Sequence, residues 1–117
     1  MSATAHPAED RDDAAAAHLE QAAPDRYAVR GALTFDTVPF VLAAGCTAIA
    51  TQRSLSFDLA GVSRADSAGL ALLIEWLRVA RRCDAHIVFL HVPEQLAAIA
   101  VACRVDDLLE NEARPSA

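Results

Sequence analysis

The residues best placed to do chemistry are Asp66-Ser67-Ala68-Gly69-Leu70, which run into the apolar stretch Leu72-Leu73-Ile74-Glu75-Trp76-Leu77. An Asp or Ser ahead of such a stretch marks a helix start, because its side-chain oxygen satisfies a first-turn amide. A hydroxyl there has three chemical uses. It can cap the helix and do nothing more. It can accept a phosphoryl group, adding about −1.5 to −2 charges at the positive end of the helix dipole. It can act as a nucleophile, which requires a base and an orienting carboxylate. His86 and His91 bracket a strand-like run, and nothing in the spacing brings either to Ser67. A Gly-flanked serine, a Gly-rich phosphate loop, an HExxH pattern and a Cys-pair motif are all missing. The expectation is a protein that catalyses nothing and holds no cofactor or metal.

The elements that position this motif follow the order of the chain. Residues 1–24 are rich in Ala, Asp, Glu and Pro, with His6 and His18 but little large apolar surface, and read as a disordered tail with at most a frayed helical turn near Ala14 to Gln21. From Asp25 to Leu33 the chain reads as extended, with a bend or bulge at Gly31. Asp36 or Thr37 then caps a helix with Pro39 in its first turn, its inward face made by Phe40, Val41, Ala44, Ala48 and Ile49. Ser54 to Leu59 alternates as a strand should, and the central helix runs from Ser67 to about Arg82. The run from His86 to Val92 suits a strand covered on both faces. Pro93 and Glu94 open a further helix carrying Leu96, Ile99, Ala100 and Cys103, and Val105, Leu108 and Leu109 supply a last apolar anchor. The chain from 111 reads as frayed. Strands alternating with helices imply an α/β fold, a small and mostly parallel β-sheet with helices packed against it.

On a helical wheel Leu70, Leu73, Ile74 and Leu77 make one stripe of the central helix, and Leu72, Trp76, Val79 and Cys83 make a second, roughly opposite. A helix on a sheet needs one such stripe. The second is met either by a neighbouring helix or by another protein. The expectation is a docking face built on Trp76, since a small core offers few layers to bury a helix all round.

A net charge of −6 and a pI near 5.0 leave no basic stripe for a phosphate backbone, so nucleic acid is not an expected partner. Cys46, Cys83 and Cys103 lack the paired spacing of a zinc site and read as reduced, buried thiols of a cytosolic protein. No window is long and apolar enough for a membrane span; the nearest, 38–50, is broken by Pro39, Gly45 and Thr47.

The Asp-Ser-x-Gly-Leu helix, set between strands over residues 25–110, resembles the STAS domain of sulfate transporters and anti-sigma factor antagonists. The wider stretch from Gly61 to Leu73, with its Val-Ser-Arg-x-Asp-Ser-x-Gly-Leu-Ala-Leu-Leu run, looks like the MlaB branch. That resemblance implies a cytoplasmic subunit, peripheral to the inner membrane. It would bind and support the ATPase (MlaF-like) of an ABC complex with a permease that moves phospholipid and maintains outer-membrane lipid asymmetry. The hydroxyl after the Asp, here Ser67, is implied at the ATPase contact, shaped by Asp66, Ala68 and Gly69, with Leu72 and Trp76 added by helix geometry. The alternative branch is the antagonist switched by phosphorylation of Ser67, whose partner is a kinase-type anti-sigma factor. Its members read Gly-Leu-Gly-Val after the hydroxyls and Gly-x-Leu/Ile-Asp near the start, where this chain has Gly69-Leu70-Ala71-Leu72 and Gly31-Ala32-Leu33-Thr34. Ala68 also stands where many antagonists carry a second hydroxyl.

Overall fold

The computed structural model describes residues 17–113; the first sixteen residues of the expected tail, His6 among them, and the last four residues lie outside the described residues. The end of that tail is a strand. β1 (His18–Ala23) runs antiparallel to β2 (Arg26–Leu33), with Leu19 opposite Val29. Leu19 packs against the core from one face, and on the other the Glu20 carboxylate meets Arg30 Nε at 2.8 Å. Backbone pairing with β2, more than side-chain burial, makes this polar segment a strand. The domain therefore begins before residue 25, and His18 belongs to the sheet instead of a helical turn.

β2 pairs in parallel with β3 (Ser54–Ala65) through a crossover helix, α1 (Val38–Thr51). β3 pairs in parallel with β4 (His86–Leu90) through the central helix, α2 (Ser67–Arg82). The sheet order is β1-β2-β3-β4. The register of β2 on β3 slips at Gly31, whose φ of 98° is open to glycine at little cost, so the expected bulge is present. α3 (Glu94–Ala102) follows β4, and α4 (Asp106–Ala113) continues through the segment expected to fray.

Alternation places Leu55, Phe57 and Leu59 of β3 and Ile87 and Phe89 of β4 in the core beside Val29. β4 is not covered on both faces as its apolar run suggests. It is an outer strand, and Val88 and Leu90 on its second face are only half-buried. α1 keeps Val41, Ala48 and Ile49 of its expected inward face but is turned from the expected phase at its other positions. Val41, Gly45, Ala48 and Ile49 face inward, and Phe40 and Ala44 face solvent.

The reason lies in Trp76. Its indole is fully buried, stacked on Phe57 at a centroid distance of 4.2 Å, and its Nε1 donates to the Leu42 carbonyl at 3.3 Å. A Cβ on Gly45 would stand 2.3 Å from that ring. Only glycine lets α1 cross this close, and the crossing fixes which side of α1 turns inward.

Both α2 and α3 end in the same way. Ala85 N–H donates to Ala80 at 2.8 Å and Asp84 N–H to Arg81 at 3.2 Å; Val105 and Arg104 repeat the pattern on Ala100 and Val101 at 2.9 and 3.0 Å. These are Schellman stops with Asp84 (φ 58°) and Arg104 (φ 63°) in the left-handed position that glycine usually fills. Cys83 and Cys103 are the residues just before these stops, and both are exposed. Cys46 is half-buried, so the expectation of buried cysteines fails at two positions and holds in part at the third.

Candidate functional site

Three parallel strands bring their carboxyl ends, and the starts of the helices that follow, to one end of the sheet. The Asp66 N–H donates to the Leu33 carbonyl at 3.1 Å, tying the start of α2 to the end of β2. The Ala65 N–H donates to Gln95 Oε1 at 2.9 Å, which ties the same point to the start of α3. Gly69 makes this junction possible. A Cβ there would sit 3.1 Å from the Leu33 Cβ and 3.2 Å from both Ala65 Cβ and a Leu96 methyl.

Capping falls to Asp66 and not to Ser67. The Asp66 backbone is extended, and its carboxylate accepts from the Ala68 N–H at 2.8 Å. Ser67 is the first helical residue, and its side chain is exposed. The hydroxyl is thus free of the structural duty that the sequence left open to it, and it stands at the positive end of a sixteen-residue helix.

A nucleophile needs more than this. His91 holds Asp58, with Nδ1 at 2.9 Å from the carboxylate, and the Ala60 N–H reaches the same oxygen at 2.9 Å. The Ala60 amide first, and the His91 ring second, hold the Asp58 carboxyl below the usual carboxylate range. That carboxylate is engaged by His91 and the Ala60 amide. Among the described residues no group of three or more His, Cys, Asp or Glu is placed to hold a metal ion, and none is long and apolar enough as a helix to cross a membrane. The arrangement presents the Ser67 hydroxyl on the surface at the start of α2.

Of the residues expected at this surface, only Ser67 and the half-buried Asp66 reach it; Ala68 and Gly69 lie beneath it as packing. Leu72 and Trp76 do not belong to it. They are 1% and 0% exposed, covered by α1 of the same chain. The expected docking stripe is therefore part of the core, because Gly45 lets α1 close over it.

The sequence reading missed Phe35 and Phe40, which are 76% and 74% exposed. Phe35 lies on the turn joining β2 to α1 and Phe40 in the first turn of α1, shortly after the Leu33 that accepts from Asp66. A signal was present: the fourteen residues of α1, VPFVLAAGCTAIAT, include no charged side chain, although one face of a surface helix normally carries several.

A family model described as "Mlab, STAS domain" matches residues 15–110. No curated protein matches the chain. Among solved structures the chain is similar to the anti-sigma factor antagonist SpoIIAA in its unphosphorylated form, with TM-score 0.57 and 20% identity over 72% of this chain and 80% of that one. It is also similar to the Bacillus cell fate determinant SpoIIAA in the phosphorylated form, with TM-score 0.60 and 19% identity over 79% of this chain and 86% of that one. At these identities the likeness is one of fold.

Proposed function

The chain belongs to the Mlab STAS-domain family, and on that premise we propose that it is a non-catalytic subunit that docks on the ATPase of a phospholipid-transporting ABC complex and supports or regulates it. The observation that carries the reading is the exposed Ser67 hydroxyl at the start of α2, with Asp66 doing the capping. A partner packed on that turn can donate to or accept from the hydroxyl without disturbing the fold. The wider match of Gly61 to Leu73 to the MlaB-type run supports the ATPase as that partner. ATP, the permease and the membrane belong to the assembly, which would hold this chain at the cytoplasmic face of the inner membrane.

A second reading has one observation in its favour. The fold is that of SpoIIAA, whose solved structures include a phosphorylated form. A free hydroxyl at a helix N-terminus is a reasonable phosphoryl acceptor. In that reading the partner is a kinase-type anti-sigma factor.

Affinity purification of the tagged chain from its own cells, wild type beside Ser67→Glu, separates the two. An ABC ATPase with its permease should come down with the wild type and be lost from the variant, while circular dichroism of the variant is unchanged. Undiminished recovery by Ser67→Glu would remove Ser67 from the contact. A kinase-like anti-sigma factor in place of the ATPase would establish the second reading.

A further inference from the structure

Of the chain's four phenylalanines, Phe57 and Phe89 are sealed in the core and Phe35 and Phe40 are about three-quarters exposed. Single exposed apolar side chains are ordinary; two exposed aromatic rings so close in the chain, one on the β2–α1 turn and one in the first turn of α1, are not. The turn is also rigid. Thr37 Oγ1 donates to the Ala32 carbonyl at 2.6 Å and accepts from the Thr34 N–H at 2.9 Å, and the Val38 N–H donates to the Thr34 carbonyl at 2.9 Å. Pro39 stiffens the backbone just before Phe40. The two rings are presented on a preformed turn and the helix start that follows it, so docking through them orders little backbone that is not already ordered.

The charge around them is one-sided. Asp36 lies on the turn itself, the Asp66 backbone is tied to Leu33, and Glu94 precedes the Gln95 that holds Ala65; Arg64, next to Ala65 in the chain, is a cation among them. The carboxylates outweigh it, so a surface that covers the rings and matches their rim has to be basic.

We propose that Phe35 and Phe40 are the anchors by which this chain docks, received by an apolar cleft on the ATPase whose rim carries lysine or arginine. The proposal rests on the reading of the chain as an ATPase-binding subunit, and it assigns to this turn the role expected of Leu72 and Trp76. Phe35, Phe40 and the Ser67 hydroxyl then form one contact surface. The rings supply the buried area, and Asp36 with its neighbours sets orientation and the rate of encounter.

The test is a binding titration of the purified full chain against the cognate ATPase, with wild type, Phe35→Ser, Phe40→Ser, Asp36→Lys and Ser67→Glu. Each phenylalanine variant should bind about 30-fold more weakly, the size of a hot-spot loss, with an unchanged melting temperature. Asp36→Lys should slow association, and wild-type affinity should fall as salt rises from about 0.05 to 0.3 M. Wild-type affinity in both phenylalanine variants overturns the proposal and leaves the ATPase reading intact. Absence of wild-type binding to the ATPase overturns that reading and takes the proposal with it. Loss in the phenylalanine variants but not in Ser67→Glu keeps the anchors and removes the serine from the contact. A wild-type dimer in light scattering that Phe40→Ser dissolves assigns the face to a second copy of the chain and overturns the proposal.

Discussion

Trp76 and Phe40 are both large aromatic residues, yet one is fully buried and the other is 74% exposed. The indole is enclosed because Gly45 admits it to within a distance no side chain would allow. The phenylalanine is left outside because the phase that puts Gly45 over the indole turns Phe40 away. One helix crossing thus decides both fates. Hydrophobicity alone says neither which aromatic holds the domain together nor which is free to meet something else.

Substitutions at the two sites should differ most in stability. Trp76→Ala should cost about 3–5 kcal/mol in urea unfolding, the loss expected for a buried aromatic in a close-packed core. A loss below about 1 kcal/mol would contradict the enclosure described above. Gly45→Ala should come next. The added methyl meets a ring that cannot move aside, and the overpacking cost of about 1–3 kcal/mol or more outweighs a gain in helix propensity of about 1 kcal/mol. A net loss of up to about 2 kcal/mol is expected, and it should shrink in a Trp76→Leu background, where the ring is gone. Phe40→Ser should change stability least, by no more than about 0.5 kcal/mol, even though it removes an entire aromatic ring. A large loss there would mean that Phe40 packs on its own chain.

The alternation of elements, the strand Leu55-Phe57-Leu59, the Asp66 start of α2 and the bulge at Gly31 were all legible, because each is written in residues close together in the chain. What stayed hidden depended on residues far apart. The second stripe of α2 could be read as apolar, but not as covered, since its cover hinges on one glycine some thirty residues earlier. The helix stops beside Cys83 and Cys103 were illegible for another reason. The helices stop at Asp84 and Arg104 in a left-handed conformation without the glycine that usually announces it. In the candidate site, Asp66 and Ser67 stood out by residue type, whereas Phe40 read as a core residue until the phase of α1 was known, and Phe35 carried no signal of its own.

β1 carries a consequence of its own. Its backbone covers the outer row of amides and carbonyls on β2, a strand whose Val29, Ala32 and Leu33 are buried. A chain cut back to residue 25 would leave that row bare, and a bare strand edge is a template on which further copies can add and polymerise. The acidic, alanine-rich composition that makes β1 look like a tail suits it to close the sheet, because Glu20 and Gln21 make its own free edge a poor place for another strand to grow. Those few polar residues disfavour the addition of another strand at that edge.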